Sequence, residues 1–174
     1  TANFATLNPL DKTSTTNTYS NGNLTVLRTG SGGSGQALPT IQNVIGNWYV
    51  EMTVDTDPGT NLARFSIRFP DANVLSNYNS TGLVNDLDEV DNSVATYTAG
   101  DTLAVYVDVS ANTYYFYKNG TQVFSETNAI VGSYGSIIYC TCSINWQLSI
   151  NYGQRPFKYT PPTGYKTLNT FNLA

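Results

Sequence analysis

Residues 84–92 hold the densest charge in this 174-residue chain: Asp86, Asp88, Glu89 and Asp91 put four carboxylates within six positions. Such a cluster suits a hard cation, an acid/base pair, or the hydroxyls of a sugar. Read as a calcium loop starting at Asp86, Asp88 falls at position 3. Val90 then stands at position 5, Asp91 at position 6 where glycine is required, and Tyr97 at position 12 where a bidentate Glu belongs. Asp86, Asp88 and Asp91 are thus the metal candidates, but a solvated acidic loop is the expected state, with no metal and no cofactor. A retaining glycosidase needs two carboxyl groups about 5 Å apart. After Glu89 and Asp91 the next position on the same strand face is Ser93, so the pair is not completed. Glu51 and Asp55 share a face four residues apart, roughly 13 Å by strand rise. With Tyr78 and Asn79, Asp86 and Asp88 form the candidate ligand site, a stacking ring and hydroxyl-pairing groups in one loop.

The remaining chemistry is sparse. Histidine is absent, which removes the commonest general base and the usual nucleophile–base pairs. Cys140 and Cys142 share a strand face with Ile138, Ile144 and Trp146, so they read as small buried hydrophobes, and Trp146 as core rather than as a sugar platform. Arg64 and Arg68 lie on one outer face, where a solvated surface or a cross-strand acidic neighbour is expected rather than an acidic partner. A net charge of −4 with 11% charged residues leaves no basic footprint for nucleic acid. No run approaches 18 apolar residues, so no membrane insertion is expected.

The elements that must position these residues are strands. Thr, Asn, Ser and Gly supply 72 of 174 residues and Tyr 13 more, the composition of an uncharged polar surface on a β-rich chain. Trp48, Val50, Met52 and Val54 alternate with Tyr49, Glu51 and Thr53; Ala63, Phe65, Ile67 and Phe69 alternate with Arg64, Ser66 and Arg68; Leu103, Val105, Val107 and Val109 repeat the pattern. The longest alternation runs on even positions from Ile138 to Tyr152, and a tight bend at 143–145 divides it without changing the face. Tyr114-Tyr115-Phe116-Tyr117-Lys118, Asn119-Gly120, Thr121-Gln122-Val123-Phe124 reads as a hairpin with a type I′ turn, placing Phe116 opposite Val123 and Tyr115 opposite Phe124. No comparable window carries helical spacing. The expected fold is a single all-β domain over 1–174, a two-sheet antiparallel sandwich. Residues 29–36, Gly/Ser-rich, form its mobile loop, and 155–174, with Pro156, Pro161 and Pro162, an extended segment packing across the sandwich or onto a neighbouring subunit. Phe157, Tyr159, Tyr165, Leu168 and Phe171 within it call for burial.

The segment Gly46-Asn47-Trp48-Tyr49-Val50-Glu51-Met52-Thr53-Val54 resembles the opening core strand of a SPRY domain, whose pattern is Trp-Tyr-x-Glu. Gly100-Asp101 with the strand to Asp108, then Phe116-Tyr117-Lys118-Asn119-Gly120, resembles the same family's Gly-Asp strand and aromatic-x-Lys-Asn-Gly hairpin. Residues 150–173 and 4–11 are similar to the ends of SPRY-like modules in bacteriophage and other viral structural proteins, and 70–96 match nothing. The resemblance implies a concanavalin-like jelly-roll sandwich that is not an enzyme and binds through loops, chiefly 70–96 and the Gly/Ser loop. It further implies a place on the exposed surface of a phage virion, as a tail fibre, head fibre or decoration protein. Its partners would then be other virion proteins, or a host-surface glycan or protein, and it would form a homo-oligomer, a trimer. The rival expectations are a carbohydrate-binding lectin-like module and a glycoside hydrolase on the same fold.

Overall fold

The computed structural model describes residues 2–11, 16–30, 35–56, 63–127, 135–142 and 144–173. Thirteen strands are found among them: β1 (Asn17–Ser20), β2 (Thr25–Arg28), β3 (Gly35–Ala37), β4 (Tyr49–Thr56), β5 (Arg64–Phe69), β6 (Val74–Asn79), β7 (Leu83–Asn85), β8 (Asp91–Ser93), β9 (Thr102–Asp108), β10 (Thr113–Lys118), β11 (Thr121–Thr127), β12 (Ile137–Cys142) and β13 (Gln147–Asn151). One 3₁₀ turn, Pro70–Ala72, joins β5 to β6, and among the described residues no helix is long and apolar enough to cross a membrane. The strands form two antiparallel sheets, β1-β2-β13-β4-β9-β10-β11 and β3-β12-β5-β6-β7-β8. The molecule is an all-β two-sheet sandwich.

Alternation produces this because side chains two apart on a strand share a face, and each inner face here is apolar. Trp48, Val50, Met52 and Val54 meet Phe65, Ile67, Phe69 and Ile138 across one core, joined by Leu103, Val105, Trp146 and Leu148. Cys140 is a buried free thiol in the same core, and Trp146 is fully buried beside it, as their parity requires. The chain turns between β12 and β13, so the long even-position alternation serves both sheets; Ser143 itself lies outside the described residues.

Three expectations need correction. The hairpin turn is type I′ in character, with Asn119 at φ 48° and Gly120 at φ 79°, but Phe116 faces Phe124, not Val123. A bulge between Phe116 and Tyr117 moves the register by one and brings Phe124 against the core ring of Phe116. Second, 70–96 is not a display loop but the 3₁₀ turn with β6, β7 and β8, the far edge of the six-stranded sheet. Third, Gly35 and Gln36 are strand residues of β3, paired with Cys142 and Thr141; positions 31–34 of the Gly/Ser run lie outside the described residues.

The extended end of the chain packs on its own sandwich. The Lys166 N–H donates to the Asn47 carbonyl at 2.7 Å and the Tyr49 N–H to the Lys166 carbonyl at 3.2 Å. Leu168 N–H donates to the Tyr152 carbonyl, while the Ala5 N–H donates to the Leu168 carbonyl, so both ends of the chain meet there. Phe157 sets its ring edge-on to Tyr49, centroids 4.8 Å apart. Tyr165 at 39% exposure and Phe171 at 80% depart from expectation. Asn169, buried, accepts the N–H groups of Phe171 and Asn172 on its side-chain oxygen, and that turn points the Phe171 ring outward.

Candidate interaction surface

The expected ligand residues divide between core and edge. Tyr78, on β6, is 0% exposed; its ring packs edge-on against Tyr97 at 5.0 Å and its hydroxyl donates to the Ala95 carbonyl. Burial, then the Asp101 charge, pushes its pKa up to about 12. No ring face is left for a sugar. Asn79 is occupied in closing the β6–β7 turn, accepting the Thr81 and Leu83 N–H groups and the Thr81 hydroxyl. Asp86 does the same for the β7–β8 connection. Its Oδ1 accepts the N–H groups of Asp88 and Val90 at 3.1 and 2.9 Å, and its Oδ2 accepts the Asn92 amide at 2.8 Å. Both oxygens of Asp86, the first ligand a calcium loop here would need, are thus spent on amides. Among the described residues no three His, Cys, Asp or Glu side chains are grouped to hold a metal ion.

What remains exposed is a rigid acidic tip. Glu89 sits in the left-handed region at φ 63°, held by its N–H to the Asp86 carbonyl. Beneath it, Leu87 is buried, and its N–H donates to the Glu126 carboxylate on β11 at 3.2 Å. The same carboxylate accepts the Tyr114 hydroxyl, and burial together with that hydrogen bond pushes the Tyr114 phenol far up, keeping it a neutral donor. The tip is therefore bolted to the opposite sheet. Asp88, Glu89 and Asp91 face solvent, with Val90 among them at 54% exposure. Beside the tip, next to β6 and β7, lies a cavity of about 320 Å³ lined by the apolar Val74, Leu75 and Leu87 and by Asn73, Asn85 and Glu89. An apolar lining beside the exposed Glu89 carboxylate fits an apolar side chain whose neighbour is a cation. Leu87 and Val90, two apolar residues in an acidic run, are the sequence signal for this surface beyond the acids of 84–92.

A second groove, about 310 Å³, opens on the other sheet between β4, β13 and the chain end, lined by Glu51, Thr53, Asp55, Ser149, Asn151, Arg155, Pro156 and Lys158. It contains Glu51 and Asp55, the β4 carboxylates singled out from the sequence, and each is engaged. Glu51, 3% exposed, accepts the Lys158 N–H at 2.8 Å on one oxygen, and the Tyr159 N–H at 3.1 Å and the Tyr49 hydroxyl at 3.2 Å on the other. Asp55 accepts the Ser149 hydroxyl at 2.6 Å and the Gln147 amide at 3.3 Å. Glu51 acts as a clasp for the chain end, on the face of β4 that alternation alone leaves polar.

No family model matches the chain. Solved structures do. The SPRY domain of human HERC1 superposes with a TM-score of 0.62 at 17% identity, over 80% of this chain and 94% of that one. A human SPRY domain gives 0.63 at 14% identity over 81% and 98%, and the TRIM65 PSpry domain 0.62 at 10% over 86% and 92%. Stonustoxin matches with a TM-score of 0.63 at 15% identity over 86% of this chain, which spans 27% of the toxin. At these identities the likeness establishes the fold: the sandwich is SPRY-like.

Proposed function

We propose that this chain is a non-catalytic interaction module whose contact surface is the acidic tip of the β7–β8 connection with the adjoining cavity. The observation that carries this reading is the bolted tip. Exposed carboxylates and Val90 are held in place by Asp86, Leu87 and Glu126, so little ordering entropy is lost on contact. The engaged Glu51 and Asp55 support the non-catalytic part, since neither presents a free oxygen pair to a shared substrate atom. The matching partner chemistry is a protein segment carrying an apolar side chain beside Lys or Arg. Its setting in this proposal is the exposed surface of a phage particle, as a tail fibre, head fibre or decoration protein, supported by the resemblance of residues 4–11 and 150–173 to such modules.

A fluorescein-labelled peptide with Leu between Lys residues, titrated by anisotropy, tests the surface. Saturable binding that weakens with salt, and falls at least about tenfold in Asp88→Lys/Glu89→Lys, is expected. Equal binding by the charge-reversed variant would refute the site. Peptide mass spectrometry of purified particles tests the setting, and absence of the chain from them would remove it.

A further inference from the structure

Charge is separated across the six-stranded sheet, with two arginines on the outer face of β5 and the acids of the β7–β8 connection at its far edge. On β5, Arg64 and Arg68 point away from the core, and their ladder neighbours are neutral: Thr141 and Asn79 beside Arg64, Ile137 and Leu75 beside Arg68. The Arg68 guanidinium lies over the Tyr139 ring, 5.9 Å from its centroid, and its Nε is shielded from water with no hydrogen-bond acceptor. Among the described residues the single ion pair is Lys118 to Asp101, on the other sheet. Of the two expectations for these arginines, the cross-strand acidic neighbour is not found, and both side chains are part-exposed on the sheet face. The opposite band is the tip, with Asp88, Glu89 and Asp91 exposed and without a cation. β5 and β7 stand two strand spacings apart with β6 between them, roughly 10 Å, so the bands do not neutralise each other within one chain.

A face with a positive band along one side and a negative band along the other matches itself after a half-turn, the condition for an isologous contact. We infer that this face is a two-fold interface with a second copy of the chain, the arginine band of each copy lying on the acidic tip of the other. This rests on the interaction surface proposed above and names its partner. A carboxylate brought to Arg68 compensates a half-buried guanidinium that the chain itself leaves unpaired, and uncompensated charge of that kind is costly. Leu75, between the bands, and Val90, at the tip, supply the apolar contact. The two-fold match replaces the trimer expected from resemblance with a dimer.

Sedimentation velocity on the wild-type chain tests this, with melting curves confirming that each variant is folded. A concentration-dependent dimer that loosens as salt shortens the Debye length is expected. Arg64→Glu/Arg68→Glu alone and Asp88→Lys/Glu89→Lys alone each bring like charges together in both contacts and run as monomers. Mixed, they restore opposite charges in both contacts at once and give a one-to-one heterodimer. A wild type monomeric up to roughly 1 mM overturns the inference, as does a trimer, or a mixture that stays apart. A monomeric wild type that still binds the Lys-Leu-Lys peptide refutes the dimer alone; a dimer that ignores the peptide refutes the peptide chemistry alone.

Discussion

Replacing Glu51 with Ala removes one acceptor group from three donors, the N–H groups of Lys158 and Tyr159 and the Tyr49 hydroxyl. Each buried donor left without a partner costs about 1–3 kcal/mol. The groove of about 310 Å³ that touches Glu51 admits water to the site, which moves each term toward the low end. The sum is about 3 kcal/mol, a melting-temperature drop of roughly 6–12 °C for a chain of this size. Glu51→Gln keeps one oxygen but turns an amide donor toward a donor, so its loss is about half as large. Trp48 and Trp146, both buried, report global unfolding in urea by fluorescence, and amide exchange at Lys158 and Tyr159 reports local release of the chain end. An Ala variant within about 0.5 kcal/mol of wild type, with exchange at those two amides unchanged, would refute the clasp.

Tyr78→Ala empties a core position and is expected to cost about 3–5 kcal/mol in chemical denaturation, whereas a ligand-facing residue there would leave stability unchanged. Asp101 is pulled two ways: burial raises its pKa, but the Thr98 N–H, the Asn119 amide and the Lys118 ammonium outweigh that and hold it below the usual carboxylate range. Its contribution to stability is therefore full above the unfolded value of about 3.9 and is lost as pH falls through the lower folded value. Asp101→Asn should melt lower than wild type at pH 7, the gap closing below about pH 4; a gap independent of pH would contradict the assignment. Gly100 and Gly120 both hold positive φ, but a Cβ at Gly100 meets open space while one at Gly120 lies 2.7 Å from the Tyr159 ring. Gly100→Ala should cost about 1–2 kcal/mol and Gly120→Ala clearly more, read from urea midpoints; equal losses would show that the hairpin turn does not bear on the chain end.

The apolar parity of 48–54, 63–69, 103–107 and 138–152 was readable because each strand there buries one face against the facing sheet. Parity names the apolar face and is silent on what covers the other, so the burial of Tyr49 and Glu51 under the chain end was invisible. β6 escaped recognition for a different reason. Its inner row is Val74, Ser76 and Tyr78, and Ser76 is fully buried by donating its hydroxyl to the Asn85 carbonyl, which breaks the hydrophobic signal at its centre. Nothing in the local pattern then marks Tyr78 as core. The hairpin register differs because a one-residue bulge sets both Val123 and Phe124 against the core, which local turn chemistry does not encode. In the acidic stretch the residue types were legible, but only the hydrogen bonds tell which carboxylates cap the turn and which stay free.

The pairing of residues near both ends of the chain, Phe4 with Asn169 and the Thr170 N–H with the Asn3 carbonyl, has a topological result. A short graft could close the polypeptide into a ring and reopen it at another hairpin, giving a circular permutant with the same sheets. By the same geometry the whole sandwich can be inserted into an exposed turn of a host protein, whose two flanking residues would scarcely have to separate to receive it.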